Sequence, residues 1–231
     1  MPLWREYVFD KCESTNDTAK QYPPFSGVQA KMQTKGRGRL GRVWTSKKGN
    51  LFVSYVFPAV KRPSDMSFVA ACGVALALQD YAPCLKWPND VLIDGEKVCG
   101  ILIETAFLGT QPEKTIVGIG INIDSHPDNS ELLYKTTCLN KKGKKQTPET
   151  IKKRLTQALD SVFSLYQQKG FEAIRQKWLS WAPAVGHPFK VRLSDKTEEG
   201  LFLGINENGS LMLALDNKEI RVISAGDVFI K

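Results

Sequence analysis

The chain has 231 residues, of which 42% are hydrophobic and 24% charged, and its formal net charge at pH 7 is +8. This length holds one sizeable domain or a domain with a small appendage, and no apolar run approaches the roughly 18–20 residues that cross a bilayer. Five cysteines without a C-x-x-C pair and only two histidines argue against a disulfide framework, a zinc site and a histidine-based triad. With no signal-peptide pattern at the N-terminus, we expect a cytoplasmic protein that does not bind membranes.

Strand and helix signals alternate through the first 123 residues. Segments rich in β-branched and aromatic residues predict strands. These strands cover residues 3–9, 27–33, 51–57, 85–87, 90–93, 98–107 and 115–123. The S-x-x-D pattern from Ser14 predicts the start of a short helix over 18–22, and an apolar helix over 63–81 is expected to be buried. Asp94-Gly95 marks a hairpin, and the glycines in 115–123 indicate that another backbone or a ligand approaches that strand closely.

The second half begins with a polar segment, 125–146, which we expect to be mobile. Apolar residues at helical spacing then predict a helix from Thr147 to a stop at Gly170, followed by a second short helix. Beyond Pro183, short strands and tight turns predict a small SH3-like β-barrel. The predicted barrel strands cover 189–193, 200–205, 210–215, 220–223 and 228–230. The expected fold is α/β of the α+β type: a mixed sheet with flanking helices over 1–183 and the barrel over 184–231.

Residues 36–42, here called the glycine–arginine loop, have the sequence Gly-Arg-Gly-Arg-Leu-Gly-Arg. Their G-x-G-x-x-G spacing matches a dinucleotide fingerprint, but that fingerprint must open a helix, whereas this loop runs towards another strand. Protein kinases have a similar loop, yet the V-A-I-K, H-R-D and D-F-G motifs are absent. Arginine forks suit phosphate or carboxylate groups, so the loop is predicted to close over an anion. A plain basic surface loop is the alternative.

Lys86 ends a short predicted strand that Pro88 interrupts. A buried lysine is unfavourable unless it is paired. Its partner is either a carboxylate of the chain, Asp90 or Glu104, or an anionic group of a ligand, and the residues alone leave both open.

Four sequence motifs occur along the chain. They are Q-x-x-G-R-G-R-x-G-R-x-W over 33–44, K-W-P-N-D over 86–90, K-x-x-G-I-L-I-E over 97–104 and G-I-G-I-N over 118–122. Their order and approximate spacing resemble those of biotin protein ligases over nearly the whole chain, including the terminal barrel. The resemblance implies a mixed α/β catalytic domain and a two-step reaction. Biotin is activated by Mg²⁺ and ATP to biotinyl-5′-AMP, and biotin is then transferred to one lysine of a biotin carboxyl carrier protein.

Site residues follow from the resemblance position by position. The residues matching the family's biotin site are Ser14, Thr15, Asn16, Gln33, Arg37, Gly38, Arg39, Lys86 and Gly100. Those assigned to the ATP side are Arg37, Arg39, Arg42, Trp44, Lys86 and Asn122. Lys86 and Arg39 are the expected catalytic groups because attack of a carboxylate on a phosphate needs positive charge at the α-phosphorus. No metal ligand is assigned.

Some members of this family carry an N-terminal DNA-binding helix-turn-helix. Because the catalytic pattern begins here within the first dozen residues, we expect a ligase without DNA binding or a repressor function. A homodimer is a further possibility, with the strand over 115–123 at its surface. Lipoate or octanoate attachment is the alternative within the superfold, and polar Gln33 argues against it. A basic nucleic-acid-binding module is the alternative from another class, but the aromatics do not alternate with basic residues as a stacking platform requires.

Overall fold

The computed structural model describes residues 4–127, 134–143 and 145–230. Its larger part is a sheet built from β1 (Arg5–Phe9), β2 (Ser26–Ala30), β3 (Leu51–Pro58), β4 (Cys84–Lys86), β5 (Asp90–Ile93), β6 (Glu96–Leu108) and β7 (Gln111–Ile121). The strand order is β1-β2-β3-β7-β6-β5-β4. β1 and β2 run parallel, and the other neighbouring strands run antiparallel. The predicted mixed sheet is therefore confirmed.

Two long helices cover one face of this sheet. The described part of the chain contains α1 (Thr15–Ala19), α2 (Asp65–Ala77) and α3 (Pro148–Leu179). α2 is buried nearly all round, as its apolar sequence predicts, and Gly73 lets it lie close to Leu159 of α3. α3 is broken at Gly170, whose φ of 71° is non-helical and falls at the predicted stop. None of the described helices is long and apolar enough to cross a membrane.

The C-terminal residues form a separate antiparallel sheet of five strands. They are β8 (Pro188–Arg192), β9 (Thr197–Ile205), β10 (Leu211–Ala214), β11 (Ile220–Ile223) and β12 (Asp227–Ile230), in the order β11-β10-β9-β8-β12. The buried rings of Phe189 and Phe202 stack 4.8 Å apart inside it, in a core continuous with that of the larger sheet. Trp87 donates from Nε1 to the carbonyl oxygen of Gly209 at 2.9 Å, which ties the two sheets together. The boundary near residue 184 stays a prediction.

Several predicted bounds shift because tertiary pairing overrides local preference. β2 ends at Ala30, and Gln33 instead forms an isolated bridge with Cys12, so the glycine–arginine loop leaves from that bridge. α1 starts three residues earlier than predicted. β6 and β7 make one long hairpin, and β7 lies between β3 and β6. Neither edge of β7 is thus free to pair with a second copy, and the homodimer stays a prediction.

The polar segment 125–146 falls partly on residues 128–133 and 144, which lie outside the described residues. Its described part is hydrogen-bonded to the end of the sheet. The Lys97 amide donates to the Lys135 carbonyl, the Thr137 amide to Lys97, and the Leu139 amide to Asn122. This strand-like contact brings Tyr134 beside the end of the sheet where β6 begins and β7 ends.

Candidate active site

A cavity lies where α1, the glycine–arginine loop, β4–β7 and the last strand of the small sheet meet. Its lining includes these predicted site residues: Ser14, Thr15, Asn16, Gln33, Arg37, Gly38, Arg39, Arg42, Trp44, Lys86 and Gly100. Asn122 is the predicted residue that it leaves out. The structure thus brings together side chains from four separate motifs.

One end of the cavity is a network of neutral donors and acceptors. The Thr15 amide and hydroxyl donate to Gln33 Oε1 at 2.8 and 3.0 Å. Ser54 Oγ lies 2.8 Å from Thr15 Oγ1 and 2.6 Å from Asn16 Oδ1, and Gln33 Nε2 donates to Ser46 Oγ at 3.0 Å. Such a set fits a neutral ligand that both donates and accepts hydrogen bonds. Sequence reasoning missed Ser54, whose signal is a single hydroxyl in a buried apolar strand.

Ser14 precedes α1 and is buried, but its side chain makes no capping hydrogen bond. Its hydroxyl therefore does not serve as a plain helix cap. Because Ser14 also lines the cavity, its side chain is available to a ligand at the neutral end.

Glycines of β6 and β7 form the floor of the cavity. A Cβ atom on Gly118 would lie 2.2 Å from Asn16 Oδ1, and one on Gly120 would lie 2.5 Å from the Trp44 ring. A Cβ on Gly100 would meet the same ring at 2.7 Å. Another group does approach the glycines of β7 closely, but it consists of side chains of the site and not of the backbone or ligand that the sequence predicted.

Replacing Gly118 by alanine is expected to displace Asn16 and weaken ligand binding at the neutral end, because the added methyl overlaps the Asn16 amide. Overpacking of this kind costs about 1–3 kcal/mol, so affinity should fall at least about fivefold. Isothermal titration with biotin measures the change. Gly95→Ala, at a turn where no atom approaches, is the control for general loss of stability. Equal affinities for wild type and Gly118→Ala would contradict this assignment of the floor.

The opposite end of the cavity holds two buried lysines that share one carboxylate. Lys86 Nζ lies 2.9 Å from Asp90 Oδ2, and Lys97 Nζ lies 2.5 Å from Asp90 Oδ1. Burial opposes ionisation of Asp90, but the two ammonium groups outweigh it and hold its pKa below the ordinary value. Burial likewise opposes the charge on Lys97, and Asp90 with Tyr134 nonetheless raises its pKa. Two cations and one anion leave a surplus positive charge facing the cavity.

Lys86 thus pairs with Asp90, one of the two carboxylates left open by the sequence, and it also donates to the Val228 carbonyl at 3.0 Å. Lys97 belongs to one of the four sequence motifs, but the sequence analysis assigns it no role. Its signal is a lysine near the start of an apolar strand, three residues before Gly100. Its ammonium is 5.4 Å from the centre of the Trp44 ring, so both lysines face the same space.

The Tyr134 ring covers this lysine pair, and the sequence analysis assigns this residue no role. Its ring centre is 4.8 Å from Lys86 Nζ and 4.9 Å from Lys97 Nζ, and Lys97 donates to its hydroxyl at 3.2 Å. An aromatic face attracts a cation, which helps to hold both ammonium groups in place. The polar sequence around Tyr134 predicted only a mobile segment.

The three arginines of the glycine–arginine loop differ in their partners. Arg37 forms ion pairs with Asp17 and Glu104, and Arg42 with Asp227 of the small sheet. Arg39 makes no ion pair with any described carboxylate, and its Nη1 donates to Asn89 Oδ1 at 3.3 Å. Burial lowers the pKa of its guanidinium below the ordinary value. Of the three, Arg39 is the arginine available to an anionic ligand.

Two residues assigned to the nucleotide have different surroundings from each other. Asn122 is buried, and its Nδ2 donates to the Thr137 carbonyl at 3.1 Å. This hydrogen bond joins the segment after residue 133 to the sheet and already uses the Asn122 side chain. Trp44 lies over Gly100 and Gly120, and its buried Nε1 has no hydrogen-bond acceptor among the described residues. A ligand acceptor would satisfy that donor. The nucleotide roles of both residues stay predictions.

Carboxylates of the cavity do not form a metal site. Asp90 is paired with two lysines and Asp227 with Arg42, and the described residues hold no cluster of three or more histidine, cysteine, aspartate or glutamate side chains suited to a metal. The side chains of the described residues therefore do not fit a magnesium ion by themselves. Magnesium in nucleotide sites is bound largely by the substrate phosphates.

Comparison with known proteins places this chain and its fold among the protein ligases. The Biotin/lipoate A/B protein ligase family model matches residues 9–122, and the Biotin protein ligase C terminal domain model matches residues 186–231. The chain is 34% identical to the biotin–[acetyl-CoA-carboxylase] ligase of Paracoccus denitrificans, over 95% of this chain and 98% of that protein. It is 32% identical to the bifunctional ligase/repressor BirA of Bacillus subtilis, over 95% of this chain and 72% of that protein.

Among solved structures, the biotin protein ligase from Aquifex aeolicus in complex with biotin and ATP is similar, with a TM-score of 0.85 and 26% identity over 99% of both chains. The chain belongs to the biotin protein ligases. The predicted family resemblance and fold class are thereby confirmed.

Proposed function

We propose that the chain activates biotin with ATP to biotinyl-5′-AMP and transfers the biotinyl group to a lysine of a carrier protein. In the first step, a biotin carboxylate oxygen bonds to the α-phosphorus while the bond to pyrophosphate breaks. In the second, the lysine amine attacks the acyl carbon and AMP leaves. The observation that carries the proposal is one cavity with a neutral donor–acceptor network at one end and a surplus positive charge at the other.

The two ends of the cavity match the two ends of biotin. A ureido ring is a neutral set of donors and acceptors, which Thr15, Asn16 and Gln33 complement. The carboxylate and the phosphate to which it bonds are anions, which Lys86, Lys97 and Arg39 complement. Positive charge held in place before reaction lowers the barrier to joining two anions.

ATP and biotin are the expected small substrates, and the relative from Aquifex aeolicus was solved with both. Magnesium enters the proposal with the nucleotide. Since the described side chains do not fit a magnesium site of their own, no step here depends on a protein ligand to that ion.

A biotin carboxyl carrier protein is the proposed macromolecular substrate. The relative from Paracoccus denitrificans is named as acting on acetyl-CoA carboxylase, which supports a carrier of that enzyme as the acceptor. Cytoplasmic localisation, absence of DNA binding and a homodimer remain expectations.

The decisive experiment incubates the chain with biotin, ATP, Mg²⁺ and a biotin carboxyl carrier domain, and then measures the mass of the carrier. A gain of one biotinyl group is expected, and none when ATP is omitted. Parallel reactions with lipoate or octanoate test the alternative acyl groups. Clear lipoate transfer without biotin transfer would replace the proposed activity with the alternative.

Changing Gln33 to leucine is expected to weaken biotin binding about tenfold or more, because it leaves the buried Thr15 amide and hydroxyl without their acceptor. Titration of biotin measures this affinity. Gln21→Leu, at an exposed position of the same region, is the matched control. Unchanged affinity in Gln33→Leu would remove Gln33 from the ligand site.

A further inference from the structure

Four charged side chains join the glycine–arginine loop to the larger domain. They are Asp17 of α1, Lys20 directly after α1, Arg37 of the loop and Glu104 of β6, here called the α1 clamp. We propose that Asp17 and Glu104 are positioning residues that hold the glycine–arginine loop over the bound adenylate. This inference rests on the proposed function.

Arg37 is held by two carboxylates from different elements. Its Nη1 lies 2.5 Å from Asp17 Oδ2, while its Nη2 lies 3.0 Å from Asp17 Oδ1 and 3.1 Å from Glu104 Oε1. A bidentate arginine–carboxylate pair fixes orientation as well as distance. Lys20 completes the clamp, 2.8 Å from Asp17 and 3.4 Å from Glu104, so that each carboxylate faces two cations.

Asp17, Lys20 and Glu104 do not line the cavity, so none of them is placed to touch the substrate. Their effect has to pass through Arg37. α1 also carries Thr15 and Asn16 of the neutral end, and the clamp therefore links the element that binds the biotin head to the loop at the reactive end.

Backbone pairing holds the loop together as a small hairpin. Arg37 and Val43 form an antiparallel bridge, the Gly38 amide donates to the Arg42 carbonyl at 2.7 Å, and the Trp44 amide donates to Gly36 at 2.9 Å. Arg39 lies at the turn of this small hairpin. Fixing Arg37 at its base consequently fixes where the Arg39 guanidinium can lie.

Protonation of Asp17 does not release its pair with Arg37 near neutral pH. The hydrogen bond from Arg37 holds the pKa of Asp17 well below its ordinary value, and Lys20 acts in the same direction. The charged state therefore persists throughout the range in which a cytoplasmic enzyme works. Isolated surface ion pairs contribute little, whereas a network with bidentate geometry restrains a loop more effectively.

The test measures how fast preformed biotinyl-5′-AMP leaves the protein, using radiolabelled ATP and an excess of unlabelled chase. Asp17→Asn keeps the shape of the side chain and removes its charge, and we expect release about three- to tenfold faster than in wild type. The rate of adenylate formation, which also depends on Lys86 and Lys97, should change by a smaller factor than the rate of release. Asp17→Glu keeps the charge and should release the adenylate about as slowly as wild type. If Asp17 only stabilised α1, this variant would be expected to release faster as well.

Glu13→Gln is the matched control. Glu13 lies one turn before Asp17 and pairs with Lys35, the residue before the loop, at 2.9 Å, so the change in charge is the same but Arg37 keeps its partners. Release from this variant should equal that of wild type. Glu104→Gln tests the second carboxylate independently and should also accelerate release.

A double-mutant cycle adds a further check. If the clamp acts through Arg37, Asp17→Asn combined with Arg37→Ala should release adenylate no faster than Arg37→Ala alone. Wild-type release from both Asp17→Asn and Glu104→Gln, or additive effects in the cycle, would overturn the clamp. Failure of the wild-type chain to form any adenylate would instead refute the proposed function.

Discussion

Replacing Lys86 by alanine is expected to slow adenylate formation by about 10²-fold or more, the loss typical of removing a charged contact to a transition state. Lys86 and Lys97 share Asp90, so the buried cluster carries one surplus positive charge. Without Lys86, the remaining lysine and Asp90 neutralise each other. The lysine cluster then has no surplus charge, and Arg39 is left as the cation that faces the reacting carboxylate and phosphate.

Rapid-quench measurement of pyrophosphate release from biotin and ATP gives this rate directly. Lys97→Ala should produce a loss of similar size, because the charge argument treats the two lysines alike. Lys114→Ala is the control, since Lys114 is a buried lysine of the same sheet whose ammonium donates to the Tyr22 carbonyl away from the cavity. Pyrophosphate release at the wild-type rate in Lys86→Ala would contradict the catalytic role assigned to Lys86.

Lys86 also donates to the Val228 carbonyl of the small sheet, so Lys86→Ala removes a structural contact as well as a charge. The two effects have to be measured separately. Biotin affinity and the unfolding midpoint of Lys86→Ala should therefore be measured beside the rate. A variant that folds and binds the biotin head, yet activates it slowly, isolates the charge effect.

Arg39→Ala is expected to form biotinyl-5′-AMP and then lose it to solvent about tenfold faster or more, as for removal of a hydrogen bond to a charged group. Arg39 is half-buried beside the cavity and, unlike Arg37 and Arg42, makes no ion pair with a described carboxylate. Its charge is therefore free for the ligand. An acyl-adenylate that escapes is hydrolysed or reacts with other amines.

Adenylate release from Arg39→Ala is measured by trapping the freed compound with an excess of hydroxylamine, which also reports how much reactive acyl group leaves the protein. Arg154→Ala is the control because this arginine pairs with Asp80 on the exposed side of α3. Release at the wild-type rate from Arg39→Ala would show that the glycine–arginine loop does not retain the adenylate.

Much of the architecture was predictable from local patterns. Alternating apolar residues, the Asp94-Gly95 turn and the glycine stop at Gly170 predicted elements that the structure contains. Their bounds were less predictable, because strands end where their neighbours end. Gln33 shows the reason: it was placed in a strand, but pairing with Cys12 puts it in an isolated bridge.

The family, the order of the motifs and the residue types that the reaction requires can be predicted from the sequence, since these depend on local chemistry. Which charges remain free becomes visible in the folded chain. Arg37 and Asp17 are 20 residues apart and Arg42 and Asp227 are 185 apart, so no local pattern predicts these pairs. An ion pair depends on distances of a few ångströms between elements that only folding brings together. Arg39 differs from its two neighbours for that reason alone.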